Sequence, residues 1–292
     1  MKCYHCGSNE HSKVDGKIRD WNPQTNNILI VKCKMCGLIS LNDTSHIDDL
    51  FYENSNMLQA PLGAQVDYKS WSRESEADNE RRLRDFEKDI INKDILDFGC
   101  GTGGFIKKAR KFASSVSAIE VDKGPREILE SIEGLKVYSS LEEIEEDKKY
   151  DVIFLFHVLE HIKDPEKLLR SLAHRLAKGG KMIIEVPNAD DALLTLYDCE
   201  SYKNFYYWKC HLFYYTSKTL QDICLKSDLS VEYIKQIQRY PLSNHLMWIK
   251  DGKPGGHHVL NYLDSDILCK EYESRLASIG KCDTLIARIK NA

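Results

Sequence analysis

The chain has 292 residues, 42% of them hydrophobic and 29% charged, with a formal net charge of −4. That length can bury a full α/β core and still carry a small accessory unit. The mildly acidic balance excludes a chain-wide electrostatic footprint for nucleic acid, and no stretch approaches the ~18 apolar residues of a membrane-spanning helix. Met1-Lys2-Cys3-Tyr4-His5-Cys6 has no apolar leader core, so a cytoplasmic chain with reduced thiols is expected.

The first element is a cysteine unit, residues 1–45. Cys3-x-x-Cys6 and Cys33-x-x-Cys36 are each followed by a glycine, Gly7 and Gly37. Such a knuckle presents two thiolates to one ion while the glycine frees the backbone to turn, and two knuckles complete a tetrahedral zinc site. The segment between them is longer than usual; a ribbon loop from Ser8 to Asn27 accommodates it, and Ile28-Leu29-Ile30-Val31-Lys32 reads as a ribbon strand. A redox pair is the competing reading, but it needs one C-x-x-C and neither copy opens a βαβ helix. Four cysteine ligands leave no open position for water, so the expected zinc is structural. His5 and His11 are expected at the surface.

A lead-in segment, residues 46–92, follows. It ends in an amphipathic helix over 73–92 with Leu83, Phe86, Ile90 and Ile91 at helical spacing. Strand and helix patterns then alternate through 93–292. Strands are expected at 94–98, 116–121, 135–138, 151–156 and 181–186, and helices at 104–112, 125–132, 141–146 and 165–177. This order predicts an α/β fold with a mostly parallel sheet covered on both faces. A helix from Thr216-Ser217 to Lys226 and two late strands, 230–238 and 283–289, predict an antiparallel hairpin at one sheet edge.

Residues 95–104, Ile-Leu-Asp-Phe-Gly-Cys-Gly-Thr-Gly-Gly, join the first of these strands to its helix. Glycines at such a turn let a ligand approach the backbone. Gly99-x-Gly101-x-Gly103 is tighter than the G-x-G-x-x-G that seats a pyrophosphate on a helix N-terminus. Asp97, just before it, would repel a phosphate and suits a cationic or amine-bearing ligand. The segment resembles the glycine-rich motif of class I S-adenosylmethionine (SAM) methyltransferases. That resemblance implies a Rossmann-like, seven-stranded methyltransferase fold carrying the zinc ribbon. It also implies SAM as cofactor, with Asp97, Gly99, Gly101 and Gly103 at the methionine half and Glu120 on the ribose hydroxyls in preference to Asp122. Ser140 and Leu141 would line the adenine, and His157 would stand near the sulfonium.

His157-Val158-Leu159-Glu160-His161 matches an H-x-x-E-H string, yet it leaves a buried strand and precedes Lys163-Asp164-Pro165, so it lacks the continuous helix of a zinc peptidase. The resemblance extends to SAM-dependent O-methyltransferases that carry E-x-x-E-H here, and to a later histidine, matched by His211 in His211-Leu212-Phe213-Tyr214-Tyr215-Thr216. It implies His161 and His211 as catalytic base or, with Glu160 and His157, as ligands of a second divalent metal. The alternative is that Glu160 and His161 cap the next helix while His211 hydrogen-bonds in its loop. Two inserts, about 187–215 and 239–281, are expected to bind the acceptor. The first is aromatic; in the second, Arg239, His245, Lys253 and His257 are candidates for an anion such as a diphosphate. The late insert, the knuckles and the His-x-Leu-Glu-His segment resemble methyltransferases of bacterial surface-polysaccharide clusters. They imply O-methylation of a sugar, nucleotide sugar or polysaccharide precursor, a small-molecule or carbohydrate acceptor rather than nucleic acid. A sugar C-methyltransferase, an RNA methyltransferase and a non-catalytic SAM- or zinc-binding partner remain the alternatives.

Overall fold

The computed structural model describes residues 1–19, 28–47, 51–53 and 67–292. Part of the expected ribbon loop (20–27) and part of the lead-in segment (48–50 and 54–66) lie outside the described residues. Three short strands, β1 (His11–Lys13), β2 (Ile30–Cys33) and β3 (Ile39–Leu41), form the ribbon. The lead-in then gives two helices rather than one, α1 (Tyr68–Glu74) and α2 (Glu76–Ile90), broken at Ser75. On α2 the buried positions are Asn79, Arg82, Phe86 and Ile90, spaced three or four apart as one helix face requires. Ile91, expected on that face, is exposed past the helix end.

The alternating region follows the predicted order. Its elements are β4 (Asp94–Phe98), α3 (Gly104–Ala109), β5 (Ser115–Ile119), α4 (Lys123–Glu130), β6 (Lys136–Tyr138), β7 (Tyr150–Phe156), α5 (Pro165–Ala173) and β8 (Leu176–Pro187). The expected helix at 141–146 shrinks to a single 3-10 turn, Leu141–Glu143. Its charged run holds two apolar anchors, buried Ile144 and half-buried Leu141, too few to fix a longer helix. Beyond β8 come α6 (Ala192–Thr195), α7 (Glu200–Tyr206), β9 (Phe213–Tyr214), α8 (Ser217–Lys226) and β10 (Leu229–Ile237). The chain closes with α9 (Leu242–Asp251), α10 (Gly256–Val259), α11 (Asp266–Ser278) and β11 (Thr284–Asn291).

The seven-stranded sheet runs β10-β11-β8-β7-β4-β5-β6. β4, β5, β6, β7 and β8 are parallel, and β11 is antiparallel to both β8 and β10. The expected Rossmann-like α/β fold is present, with one refinement: β11 is not an edge strand but inserts between β8 and β10. Central strands are dry on both sides, with Ile95, Leu96, Ile153, Phe154, Leu155, Ile183 and Ile184 fully buried. Each such side chain contributes ~1.5–3 kcal/mol on leaving water. Connectivity reverses between β4 and β7, which opens a crevice at their carboxyl ends.

A second, four-stranded sheet runs β1-β2-β3-β9. Its last strand comes from the expected aromatic loop after β8, with Ile39 opposite Tyr214 and Ser40 opposite Phe213. The ribbon is therefore welded to the main body by backbone pairing. Among the described residues no helix is long and apolar enough to cross a membrane.

Candidate active site

The crevice at the reversal point is a cleft of about 470 Å³. Asp97, Gly99, Gly101, Glu120, His157, Glu160, His161 and His211 all line it. At Gly101 a Cβ would stand 2.8 Å from the Trp71 indole, so α1 lies directly on the turn and only glycine fits beneath it. Gly103 plays a different part from the one expected. It does not line the cleft; its left-handed backbone caps α3, and a Cβ there would strike Leu129 at 2.4 Å.

Asp97 is 2% exposed, and among the described residues no donor reaches its carboxylate. Burial, and then the nearby Glu120 charge, push its carboxyl up to about 7 against the pull of Arg82. An ammonium group is what such an acid lacks. Glu120 accepts from the backbone N–H of Gly101 (2.6 Å) and of Asp122 (2.8 Å), which leaves lone pairs for two further donors. Asp122, the competing acid, caps α4 by accepting from Gly124 N–H. These residues fit a cofactor with an amine and a vicinal diol. Ser140 and Leu141 do not reach the cleft: Leu141 packs against the core, and Ser139 beside them is held by Glu143. Ile119, Val121 and Asp122 line the cleft past β5 instead.

His157 ends β7 with φ 57°, a left-handed conformation uncommon for a residue with a Cβ. The turn aims its ring into a buried charge network that the sequence reading missed. Nδ1 lies 3.3 Å from Glu160 Oε1; Nε2 lies 3.2 Å from Glu185 Oε1 and 3.1 Å from Arg239 Nη1. Burial and Arg239 disfavour the imidazolium, but the two carboxylates outweigh them and raise its pKa above the ordinary value. Glu185, fully buried, also accepts from Arg81 (2.9 Å) and Arg82 (2.7 Å) of α2. Arg239 in turn donates to both oxygens of Asp78 at 3.0 Å. The signal was present as an acid inside the apolar run Met182-Ile183-Ile184-Glu185-Val186, because a buried charge demands partners.

One potential ligand atom from each of Glu160, His161 and His211 lies within 4.8 Å of the other two. His157 is not in this group, since its Nε2 is committed to Glu185 and Arg239, so the four-residue set becomes three. His161 Nδ1 donates to the Cys210 carbonyl (2.9 Å), which fixes the tautomer and leaves Nε2 with a lone pair. Burial keeps the His161 imidazole below its usual pKa, and burial plus His161 keeps His211 well below. Glu160 Oε2 and His211 Nδ1 are buried with no hydrogen-bond partner among the described residues. The donor chemistry fits a divalent cation and equally fits a neutral imidazole base. The helix-capping alternative fails for Glu160 and His161, because Asp164 caps α5.

The anion group expected in the second insert does not assemble. Arg239 is tied to Asp78; His245, buried and lowered to about 4, bonds Tyr272 (2.7 Å); His257 lies against Asn244. In the ribbon, the Cys3–Cys36 and Cys6–Cys33 sulfurs stand 3.6 and 3.5 Å apart. Bonds of ~2.3 Å to a tetrahedral zinc imply sulfurs ~3.8 Å apart, so the four fit that ion. Burial pushes the Cys33 thiol up, but the amides of Cys36 and Met35 and the Cys6 thiol outweigh it and bring it to about 6.

Comparison with known proteins agrees with this geometry. The chain matches the family described as a methyltransferase domain over residues 71–234, more than half its length. Among curated relatives, the ubiquinone biosynthesis O-methyltransferase of Proteus mirabilis (strain HI4320) is 29% identical over 107 residues, 34% of this chain and 44% of that protein. The enzyme of the same name from Vibrio vulnificus (strain YJ016) is 31% identical over 107 residues, 34% of this chain and 46% of that protein. The chain thus spans about half the length of the curated relatives it matches. A chain of the Haloferax volcanii complex between the Trm112 methyltransferase activator and a methyltransferase superposes with a TM-score of 0.51 at 11% identity. It covers 78% of this chain and 98% of that one, a likeness of fold. By the matched domain and its seven-stranded sheet, this chain belongs to the class I SAM-dependent methyltransferase family.

Proposed function

We propose that this protein transfers the methyl group of SAM to a hydroxyl oxygen of a small sugar-like acceptor. The observation that carries the reading is the neutral pair His161 and His211 with Glu160, on the same cleft as Asp97 and Glu120. When bound, SAM supplies an electrophilic methyl on a sulfonium. The protein's own task is to seat the cofactor and to accept the acceptor's proton. Asp97 seats the ammonium, and Glu120 receives the ribose hydroxyls. An alcohol is a poor nucleophile until its proton is taken, and His161 Nε2, unprotonated at neutral pH, is the atom that takes it. Displacement at a sulfonium methyl is in line, so orientation lowers much of the remaining barrier. Trp208, Tyr52 and the two histidines give the acceptor side aromatic walls suited to a ring with hydroxyl edges. O-transfer is supported by the similarity to ubiquinone biosynthesis O-methyltransferases.

The acceptor we infer carries no diphosphate held by the cleft, because its cationic lining residues Arg82 and Arg239 are already paired with Glu185 and Asp78. The two unpartnered atoms on Glu160 and His211 favour a second reading, in which Glu160, His161 and His211 hold a divalent cation that would lower the hydroxyl's pKa. His161→Ala is expected to lower kcat/KM by ~10²–10⁴ while the affinity for S-adenosylhomocysteine (SAH) stays within about threefold. Full turnover in that variant would remove His161 from the chemistry. Loss of activity on dialysis against a chelator, restored by one divalent ion, together with one metal ion retained in Cys33→Ser and lost in His161→Ala, would select the cation.

A further inference from the structure

We propose that the cysteine ribbon is the positioning element for the acceptor-side wall, so that its metal state sets the geometry of His211 and Trp208 and leaves the cofactor half alone. The inference rests on reading that wall as the acceptor side. It is carried by a continuous backbone path. The second knuckle, Cys33 to Cys36, is itself the turn joining β2 to β3, with Cys33 N–H bonded to Leu38 O (2.9 Å) and Gly37 N–H to Cys33 O (3.0 Å). β3 pairs directly with β9. One residue further, Leu41 N–H donates to Leu212 O (3.1 Å), and Leu212 N–H donates to Glu160 O (2.8 Å). The knuckle and the Glu160–His161–His211 group are thus separated by one strand pairing and one further backbone hydrogen bond.

The ribbon also clasps the loop from its other side. Arg19 N–H donates to Tyr207 O (2.7 Å), residues 19 and 208 form a parallel bridge, and the Arg19 guanidinium lies 4.3 Å from the Phe205 ring centroid and 4.9 Å from that of Trp208. Tyr4, inside the first knuckle, packs its ring 5.2 Å from Phe213 and bonds Asp164. By contrast, the residues that line the cofactor half come from β4, β5, the turns that follow them and the overlying α1 and α2, none of which belongs to the ribbon sheet. Strands of three residues are too short to hold register without a staple. Two C-x-x-C turns joined by one ion provide that staple.

The test uses the full chain, with zinc removed by a chelator at neutral pH and, separately, Arg19→Ala with zinc in place. Amide hydrogen exchange, SAH titration and the imidazole NMR resonances of His161 and His211 are read in both. Chelation is expected to speed exchange at residues 207–215 more than tenfold and to shift or broaden both imidazoles. Exchange at 95–98 and 116–119 should be unchanged and the SAH Kd should move less than threefold. Arg19→Ala should reproduce the faster exchange at 207–211. Unaltered exchange at 207–215, unmoved imidazoles, or loss of SAH binding and sheet protection together with the ribbon would each overturn the proposal, as would an Arg19→Ala protein indistinguishable from wild type. None of these readouts needs methyl transfer, so a failed acceptor reading shows separately, in the His161→Ala kinetics.

Discussion

Asp97 illustrates how much one side chain can be asked to do. A buried carboxyl titrating at about 7 is half charged at neutral pH. An ammonium beside it favours the charged form, so the bound-state pKa lies lower. The sign follows: above about pH 7 the acid is already ionised and cofactor affinity is complete; below it, binding must first expel a proton. SAH affinity is therefore expected to fall by up to tenfold per pH unit below 7, until the pKa of the complex is reached. Isothermal titration from pH 5 to 8 measures this. Asp97→Asn should weaken binding at pH 8 and flatten the profile; an equally steep profile in that variant would assign the proton elsewhere, with Glu120 the next candidate. Asp97 and the Gly99–Gly103 turn were legible in the sequence because their constraints are local. A strand, a turn with left-handed positions and an acid at its mouth leave few alternatives. Gly103 shows the limit of that reading, since it is glycine for the sake of Leu129 and not of a ligand.

At the level of elements, α2 works as a strap across the open end of the sheet. It contributes Asp78, Arg81 and Arg82 to a network that also holds Glu185 of β8, His157 just past β7 and Arg239 beyond β10. Burial raises the Asp78 carboxyl, but Arg239 outweighs it and holds it at about 2. A depressed acid contributes stability that is complete above its unfolded pKa, near 4, and is lost as pH falls toward 2. The size is about 2 kcal/mol. Asp78→Asn is expected to lower stability by about that much at pH 7 and by little at pH 2, read as the urea midpoint at both values. An equal loss at both pH values would mean packing, not charge, holds the strap. This network was hidden in the sequence for a physical reason. Its members lie on four elements, and nothing in the spacing of Arg81-Arg82 or of Glu185 says which acid meets which base. Local patterns gave β4, β5, β7 and α8 closely because each has one apolar face or run, whereas β8, expected at 181–186, starts at Leu176 inside the expected helix 165–177, since Leu176 pairs with Tyr150 of β7. They gave no sign that Phe213-Tyr214 would leave the aromatic loop to finish the ribbon sheet, since pairing Ile39 with Tyr214, far along the chain, is a tertiary choice.

On the proposed reading the whole molecule divides into a sheet that holds the cofactor and additions that build the acceptor wall, and its topology allows that division to be tested. β10 and β11 are sequential strands in adjacent, antiparallel register, with Ile237 directly opposite Thr284. Everything between them, including α9, α10 and α11, is an excursion that a two-residue turn could replace. Joining Ile237 to Thr284 through Asn-Gly keeps the β8–β11–β10 ladder and removes Arg239, the buried His245–Tyr272 pair and Asp283. Asp78 keeps Arg81 at 3.2 Å, and Glu185 keeps both α2 arginines. The shortened chain is therefore expected to fold, to bind SAH within about threefold of the parent and to lose methyl transfer by ~10² or more. The loss follows because His157 loses Arg239, while Tyr202 and Phe205 of the 187–215 loop lose the Trp248 ring they pack on, and an ångström of misplacement can cost 10² in rate. A shortened chain that transfers methyl groups at the parental rate would place the acceptor wholly on the 187–215 loop. One that fails to bind SAH would mean the insert and the cofactor half are a single unit.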